Sequence, residues 1–346
     1  MTVQRCVLVA VLLALPAAGF AQIGSRNVSK TGTVAAAFLE IPAGAAAVGM
    51  GTAFVSRVSD ASALYWNPAG AARLQQNEVI ANHMSWIADT RFDYAALVLP
   101  LGEAGTFGVS FTSLGMEDMK VRTVELPEGT GEYFSANDIA VGISYSRTLS
   151  DRFAVGVTVK YVQQTIWHES ASAFALDIGT LFRTDLLGGL VIGASLSNFG
   201  TSMRLDGRDT RQFGRIDDTK LGSNERIPST IEMDAWDLPL LFQIGVSFDP
   251  VKADTYRWTV AVDALHPNDN DESMSAGTEF AYSEALFLRA GYHSLFLAES
   301  EGGLSLGFGV TSSLLFSSTT GVQLDYAYRD MGRLGGVNLI SLGVRF

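Results

Sequence analysis

Short segments in which every second residue is apolar recur along the chain. Between residues 153 and 161, Phe, Val and Tyr fill the odd positions, whereas Ala, Gly, Thr and Lys fill the even ones. The same alternation recurs at 242–248, 304–310 and 322–328. Successive side chains of a β-strand point to opposite faces, so each segment predicts a strand with one apolar face. That face would pack against a second sheet in a soluble sandwich and would meet lipid in a membrane barrel.

About fourteen segments carry this pattern, and bacterial membrane barrels contain an even number of strands. The fold class that we predict is all-β, an antiparallel transmembrane β-barrel of about 14 strands with an N-terminal hatch or plug segment. The predicted strands span residues 78–87, 90–100, 104–114, 136–149, 152–166, 171–184, 188–199, 240–249, 254–265, 274–283, 286–294, 302–314, 319–329 and 337–346.

The connections between the predicted strands are short at one end of the barrel and include long ones at the other. If the first strand rises from the periplasm, the inner turns are short, as at 100–105 and 149–151. The outer connections then include the two longest loops, 115–135 and 200–239. Membrane barrels show this asymmetry. A soluble all-β protein has no physical reason for it, so the loop lengths favour the barrel over the sandwich.

Both ends of the chain indicate export to an outer membrane. Residues 1–21 have the pattern of a signal peptide, in which Arg5 precedes an apolar stretch of about ten residues that is too short for a membrane helix. We predict cleavage after Ala21, with an uncleaved N-terminal anchor as the alternative. The chain closes with Phe346, which resembles the terminal aromatic assembly signal of outer-membrane barrels. We therefore predict a multi-pass barrel in the outer membrane of a Gram-negative bacterium, with membrane lipid as its first partner.

Composition agrees with this location. The mean hydropathy of the 346 residues is +0.21 and only 17% of them are charged, yet no apolar run beyond residue 21 is long enough for a membrane helix. The net charge of -12 argues against a nucleic-acid partner, which attracts basic surfaces. Cys6 is the only cysteine and lies in the signal peptide, so a disulfide framework is excluded from the cleaved chain.

The sequence shows no catalytic constellation. Four histidines are scattered through the chain and indicate no metal cluster. His168, Glu169 and Ser170 fall together in a predicted outer loop, but a serine near a histidine is common in loops. The acidic run 268–272 lacks the glycine and the terminal glutamate of a calcium loop, so a solvated loop is the better interpretation. We predict no catalytic residue, no metal site and no cofactor, and hence that the chain is not an enzyme.

The segment before the barrel has a different pattern. Residues 38–74 are rich in glycine and alanine and lack the period of a strand. We therefore divide the chain into a signal peptide (1–21), an N-terminal hatch segment (22–76) and the barrel (77–346). The small residues favour a segment folded inside the lumen; a periplasmic extension is the alternative. Asn67 to Gly70 predict a turn. The candidate hatch-motif residues are Gly49, Met50, Gly51, Asp60, Trp66, Asn67, Pro68, Ala69 and Gly70.

A few charged residues occupy positions that the alternation assigns to the inner face. An Arg or Lys on the lipid face costs about 2–4 kcal/mol at the midplane, so these side chains should face the lumen. Ion pairs along the lumen wall explain them most simply, and a track for a polar substrate is the alternative. The candidate lumen-facing charges are Asp177, Asp263, Arg289, Asp325 and Arg345.

One run of residues carries a family resemblance. The sequence GMGTAFVSRVSDASALYWNPAG at 49–70 resembles the N-terminal signature of long-chain fatty-acid transporter (FadL)-like barrels and, more closely, that of the PorV/PorQ family. Further similar segments lie at 126–132, 176–180, 197–200, 266–270, 288–292 and 324–328. The resemblance implies a fourteen-stranded barrel with the N-terminal segment as its hatch, and a role in type IX protein secretion.

Two functions follow from this resemblance. In the first, the barrel handles secreted cargo proteins or binds secretion-system components at the cell surface through its outer loops. In the second, it is a FadL-like passive transporter that moves apolar small-molecule ligands across the outer membrane. The lumen discriminates between them: an apolar passage ending at a lateral opening favours transport, whereas a blocked lumen with ordered, acidic outer loops favours cargo binding.

Overall fold

The fold was analysed in a computed structural model, which describes residues 30–214, 226–297, 300–312 and 320–346. The predicted signal peptide and cleavage site, and residues 22–29 of the predicted hatch segment, lie outside these residues.

Fourteen long strands dominate the structure, and they confirm the predicted fold class. Each observed boundary lies within three residues of its prediction. The strands are β1 Glu78–Ser85, β2 Arg91–Pro100, β3 Thr106–Gly115, β4 Ala136–Ser150, β5 Phe153–Ile166, β6 Glu169–Arg183, β7 Val191–Gly200, β8 Leu241–Lys252, β9 Tyr256–Pro267, β10 Ser273–Tyr282, β11 Leu286–Leu295, β12 Leu304–Thr311, β13 Gly321–Asp330 and β14 Gly336–Arg345.

The strands close into a barrel. Each strand pairs antiparallel with its neighbours in sequence, and β14 pairs with β1 from Glu78 opposite Arg345 to Ser85 opposite Asn338. Closure leaves no long strand with an unpaired edge, which is what a sheet in hydrocarbon requires. The register shifts at four places, in the β4–β5, β6–β7, β8–β9 and β10–β11 ladders.

The alternation along each strand separates two faces. On β5, Val157 is 39% exposed on the outer surface, whereas Thr158 is fully buried and its hydroxyl lies 2.7 Å from that of Ser144 on β4. The same division leaves apolar side chains exposed on the outside of β3 and β12. The outer surface is therefore apolar, as contact with lipid requires.

The two longest connections, 116–135 and 201–240, leave the same end of the barrel, which we call the outer end. Both hold short two-stranded sheets that the sequence did not predict. Met119–Lys120 pairs with Tyr133–Phe134, and Arg211–Gly214 pairs with Ile227–Thr230. A fifth short strand, Asp206–Gly207, pairs antiparallel with the outer end of β6. The opposite, inner end carries short turns.

Helices are short and mostly precede the barrel. The helices α1 (Ala45–Gly49) and α2 (Ala63–Trp66) lie between two 3-10 helices, Ala37–Glu40 and Pro68–Arg73. Among the described residues, single 3-10 turns occur in four connections, at Ile87–Asp89, Gly102–Ala104, Leu186–Gly188 and Gly332–Leu334. Within the described residues, no helix has the length and apolar character needed to cross a membrane.

Candidate functional site in the barrel lumen

The N-terminal segment runs from the outer end of the barrel to the inner end. At the outer end, the Ala35 amide donates to the carbonyl of Asp237 in the 201–240 loop. At the inner end, the Thr148 hydroxyl donates to the Ala72 carbonyl. Between these points the segment contacts strands that are well separated around the barrel: the Ala45 amide donates to Ser341 on β14, and Ser146 on β4 donates to the Pro68 carbonyl.

Glycines on the inner wall allow this backbone to approach closely. A Cβ atom added to Gly156 would lie 2.3 Å from the carbonyl carbon of Pro68, and one added to Gly291 would lie 2.2 Å from that of Met50. Gly277 faces the Met50 carbonyl oxygen at 2.2 Å in the same way. Contacts this short would force the backbone apart, so these wall positions admit only glycine.

Three candidate hatch-motif residues lie together against β10 to β12. Gly49 ends α1 beside Gly307 of β12. Met50 is fully buried, and its main chain lies against Gly277 and Gly291. Gly51 has a φ of +61°, and a Cβ there would lie 2.4 Å from the Tyr292 nitrogen. Both its left-handed conformation and its surroundings therefore require glycine.

The candidate hatch-motif residues Asn67, Pro68 and Ala69 lie near the inner end. Asn67 has no exposed surface: its amide nitrogen donates to the carbonyls of Val55 and Thr180, and its Oδ1 accepts from the Ala69 amide. Asn67 thereby caps the 3-10 helix that begins at Pro68, so the predicted turn at 67–70 is in fact the start of that helix.

The remaining three motif residues are also buried in this segment. The Asp60 carboxylate accepts from the Ser62 amide at 2.9 Å. The Trp66 indole donates to the Ala43 carbonyl at 2.8 Å. Gly70 packs against Val58, where a Cβ would lie 2.2 Å from a Val58 methyl.

Asp263 holds the backbone of this segment against β9. It is fully buried, and its Oδ2 accepts hydrogen bonds from the amides of Phe54 at 2.7 Å and Val55 at 2.8 Å. Sequence alternation put Asp263 on the inner face, but only the folded chain shows that its partners are main-chain amides. Its role here is to position the segment.

Near the inner end, buried charges form a connected network. Glu279 of β10 contacts three guanidinium groups, from Arg57 at 2.9 Å, Arg257 at 3.0 Å and Arg289 at 2.8 Å. Arg289 also contacts Asp325 of β13 at 2.6 Å. The network joins the wall to the N-terminal segment through Arg57. Sequence analysis named Arg289 and Asp325 but missed Glu279, although its position in β10 has the parity of an inward residue.

The last two candidate charges occupy different heights. The Asp177 carboxylate, buried on β6, lies 2.9 Å from the Lys160 ammonium and accepts from the Asn198 amide at 2.7 Å. Arg345 is partly exposed at the inner end and lies 3.3 Å from Glu78. The candidate charges therefore do not form a single track: Asp177 and Asp263 have separate partners, and only Arg289 and Asp325 contact each other.

Phe346 lies at the inner end beyond β14. Its ring is 53% exposed and its amide donates to the Asn77 carbonyl at 3.0 Å. Its role in assembly stays a prediction.

The outer half of the lumen contains a cavity of about 420 Å³, within the size range of small-molecule sites. The N-terminal segment forms part of its wall through Phe38 and Ile41, and Leu241, Leu265 and Met331 line it from the barrel side. Its polar lining includes Glu40, Lys160, Gln243, His293 and Arg329.

One of these polar residues has an altered acidity. Although Glu40 is exposed to the cavity, it lies inside the barrel mouth, and this burial together with the nearby Asp269 carboxylate raises its pKa to about 7. Glu40 therefore changes charge near neutral pH.

Strand β3, whose Leu114 lines this cavity, lies in a continuous part of the barrel wall. Strand β3 pairs with β2 from Arg91 opposite Gly115 to Pro100 opposite Thr106, and with β4 over its whole length, without a register shift. Across β2, β3 and β4 the ladders therefore leave no lateral opening.

The described parts of the outer loops carry acidic and aromatic groups. His168 stacks on Trp167, and its Nδ1 lies 2.7 Å from the Asp209 carboxylate. His168 and Arg208 together lower the pKa of Asp209. In the part of the chain that the structure describes, no three His, Cys, Asp or Glu residues are arranged to hold a metal ion.

The comparison with protein families gives one match. The family described as "Type IX secretion system protein PorV" matches residues 24–224, which is more than half of the chain. No curated protein matches the sequence significantly.

Three solved structures illustrate the similarity in fold. A Pseudomonas aeruginosa FadL homologue aligns with a TM-score of 0.50 at 13% identity, covering 87% of this chain and 97% of that protein. The Pseudomonas putida toluene transporter TodX aligns at 0.52 and 13%, covering 88% and 97%. The Ralstonia pickettii toluene transporter TbuX aligns at 0.53 and 11%, covering 88% and 97%. At these identities the similarity establishes the barrel fold alone.

Proposed function

The chain belongs to the PorV family of type IX secretion system proteins, and from this membership we propose that its outer loops bind secreted cargo or other components of the secretion machinery. The protein is an outer-membrane β-barrel associated with type IX secretion. The two long outer loops support this proposal, because each contains a short sheet that exposes apolar side chains.

The 116–135 loop offers the clearest contact surface. Val124 is 95% exposed, and Met119, Leu126 and Tyr133 are each more than half exposed. Acidic residues, among them Glu125 and Glu128, lie between them. Exposed apolar groups with a polar rim are typical of a surface that binds another protein.

We further propose that residues 22–76 form a hatch that keeps the lumen closed to solutes. Three kinds of contact support this proposal. The segment approaches glycines of β5, β10 and β11 closely, and the Phe54 and Val55 amides donate hydrogen bonds to Asp263. Arg57 also forms an ion pair with Glu279. A closed lumen would keep the membrane sealed while the outer loops act.

Co-purification tests the secretion proposal. The tagged protein, extracted from outer membranes in detergent, should carry secreted proteins or secretion components with it. The double substitution Val124→Asp and Leu126→Asp should reduce that set several-fold. Leu186→Asp is the matched control, because Leu186 is equally apolar and 66% exposed but lies in a turn at the inner end. An unchanged set in the outer-loop variant would contradict a role for this loop.

The second candidate function is transport of apolar small molecules, and the cavity of about 420 Å³ is the observation that favours it. The continuous β2–β3–β4 wall argues against a lateral exit through those three strands. Uptake of toluene by cells with and without the protein separates the two. Equal uptake supports the secretion role, and uptake that depends on the protein supports transport.

A further inference from the structure

The acidic run 268–272, which connects β9 to β10 at the outer end, is not solvated along its whole length. Asp269 is only 7% exposed, so the interpretation of this run as a solvated loop is wrong at that position. The Oδ1 atom of Asp269 is buried without a hydrogen-bond partner, and no ion pair joins this carboxylate to any residue that the structure describes. A buried carboxylate without a counter-charge is costly, so a group outside the chain has to compensate it.

The preceding residue carries a second buried acceptor. The side-chain Nδ2 of Asn268 donates to the Leu238 carbonyl at 3.0 Å, and its main-chain amide donates to the Leu240 carbonyl at 3.0 Å. The first of these bonds fixes which way the side-chain amide faces, because a reversed amide would place its oxygen against a carbonyl oxygen. The Oδ1 atom of Asn268 is therefore an acceptor, and it is also buried without a partner.

The N-terminal segment brings a second carboxylate to this part of the outer mouth. Its Ala35 amide donates to the carbonyl of Asp237, which directly precedes the stretch that Asn268 contacts. Further along the same segment, Glu40 ends the first 3-10 helix. Asp269 is near enough to Glu40 to contribute to the raised pKa of that carboxyl. The Glu40 carboxylate forms no ion pair or hydrogen bond with the residues that the structure describes.

The chemistry of these groups favours a cation. Two carboxylates and an amide oxygen are all acceptors, so a positive charge satisfies them together. Ca²⁺ binds such oxygen ligands, typically about six to eight of them in flexible geometry, whereas Mg²⁺ requires a nearly ideal octahedron. The two buried, unpartnered oxygens of Asn268 and Asp269 distinguish this group from an ordinary cluster of surface carboxylates. With only two carboxylates, it also agrees with the absence of a three-residue His, Cys, Asp or Glu site in the described chain.

We propose that the outer mouth of the barrel binds a calcium ion through the side-chain oxygens of Glu40, Asn268 and Asp269. The ion neutralises the buried Asp269 carboxylate, and water from the open mouth completes its coordination. Glu40 belongs to the N-terminal segment and the other two ligands belong to the β9–β10 connection, so the bound ion ties that segment to the barrel at its outer end. This site replaces the sequence-based prediction of no metal site and does not depend on the secretion role.

Calcium titration tests the site in the full-length mature protein, reconstituted in nanodiscs of phosphatidylcholine so that no anionic lipid competes for the ion. After treatment with EDTA, calorimetry should show one site with a dissociation constant of about 10⁻⁴–10⁻³ M, as in extracellular calcium modules, and at least about tenfold weaker binding of Mg²⁺. No binding at about 10 mM Ca²⁺, or equal affinity for the two ions, would overturn the proposal.

Substitutions assign the binding to these residues. Asp269→Asn and Glu40→Gln each remove one carboxylate at nearly constant volume, and each should weaken calcium binding at least about tenfold. Glu128→Gln is the matched control, because Glu128 is an exposed carboxylate of the 116–135 loop, and it should change the affinity by less than about twofold. Unchanged affinity in Asp269→Asn, or an equal loss in Glu128→Gln, would show that calcium binds surface carboxylates only and would overturn the proposal.

A stability measurement tests the premise separately. Calcium should raise the urea midpoint of unfolding of the unsubstituted protein, because an ion that binds only the folded state stabilises it. Asp269→Asn should abolish this rise. In EDTA the same variant should unfold at an equal or higher urea concentration than the unsubstituted protein, because it lacks an unpaired buried charge. Strong destabilisation of Asp269→Asn in EDTA would show that Asp269 has a partner within the chain, which contradicts the proposed site.

Discussion

A buried arginine in the inner half of the lumen is paired with carboxylates, whereas a buried arginine in the outer half is not. In the inner half, Arg289 contacts Glu279 at 2.8 Å and Asp325 at 2.6 Å, so its charge is balanced within the chain. In the outer half, Arg329 is almost as deeply buried, yet its guanidinium has no partner among the described residues. Both arginines lie at inward positions of their strands, so alternation alone does not distinguish them.

The surroundings explain the difference. Around Arg289 the N-terminal segment packs closely against wall glycines, and Arg57 adds a further charge to the Glu279 network. Around Arg329 the same segment leaves a cavity of about 420 Å³. A charge that is paired inside close packing maintains the structure. The charge of Arg329, beside the cavity, is not neutralised by any carboxylate of the described residues.

The largest expected effect separates the two arginines directly. Arg289→Met leaves Glu279 and Asp325 without one cation in a buried site, so we expect a loss of about 3–5 kcal/mol in the free energy of unfolding. Arg329→Met removes an unpaired buried charge, so we expect no loss. The midpoint of urea unfolding in detergent, followed by the heat-modifiable gel band, measures both. Equal destabilisation by the two substitutions would contradict the inference that Arg289 is paired and Arg329 is not.

A pair of wall glycines gives the next effect. Gly291→Ala puts a Cβ 2.2 Å from the Met50 carbonyl carbon, whereas a Cβ on Gly343 has its nearest neighbours at 3.9 Å. We expect Gly291→Ala to cost about 1–3 kcal/mol through overpacking and Gly343→Ala to cost less than about 0.5 kcal/mol. The same unfolding assay compares them. A harmless Gly291→Ala would show that the N-terminal segment does not press on β11.

Asp263 should produce a local effect. Asp263→Ala leaves the amides of Phe54 and Val55 without their acceptor, at a cost of about 1–3 kcal/mol for each buried group. Hydrogen exchange at residues 54 and 55 should accelerate about tenfold or more, while the barrel strands keep their protection. Asp263→Asn retains an acceptor oxygen and should change much less. Unaltered exchange in the alanine variant would contradict the inference that Asp263 holds the main chain at Phe54 and Val55.

The fourteen strands could be predicted because lipid outside and small or polar residues inside impose a strict period of two. That period also gave the faces of Val157 and Thr158. It did not reveal that Thr158 is fully buried, because the packing of the inner half comes from a segment without any period. A water-filled lumen, which the strands alone would suggest, is therefore the wrong expectation at the level of Thr158 in the barrel.

Not every charge pairing could be predicted. Parity placed Asp263 on the inner wall, but its partners are the amides of residues 54 and 55, which are far away in the chain. Glu279, in contrast, lies directly opposite Arg289 in the β10–β11 hairpin, so this pair was within reach of the sequence and was missed. Arg329 has the same parity as Asp325 in β13 and was overlooked. The short sheets in the outer loops were missed because strands of two to four residues carry too little pattern.

Ion conductance of the intact mature protein in a planar bilayer tests most directly the proposal that the N-terminal segment closes the inner half of the lumen. We predict that single insertions conduct little or no current, and that deleting residues 30–70 raises the conductance of barrels that still assemble. A large, steady conductance of the intact protein would contradict the closed lumen on which the contrast between the two halves rests.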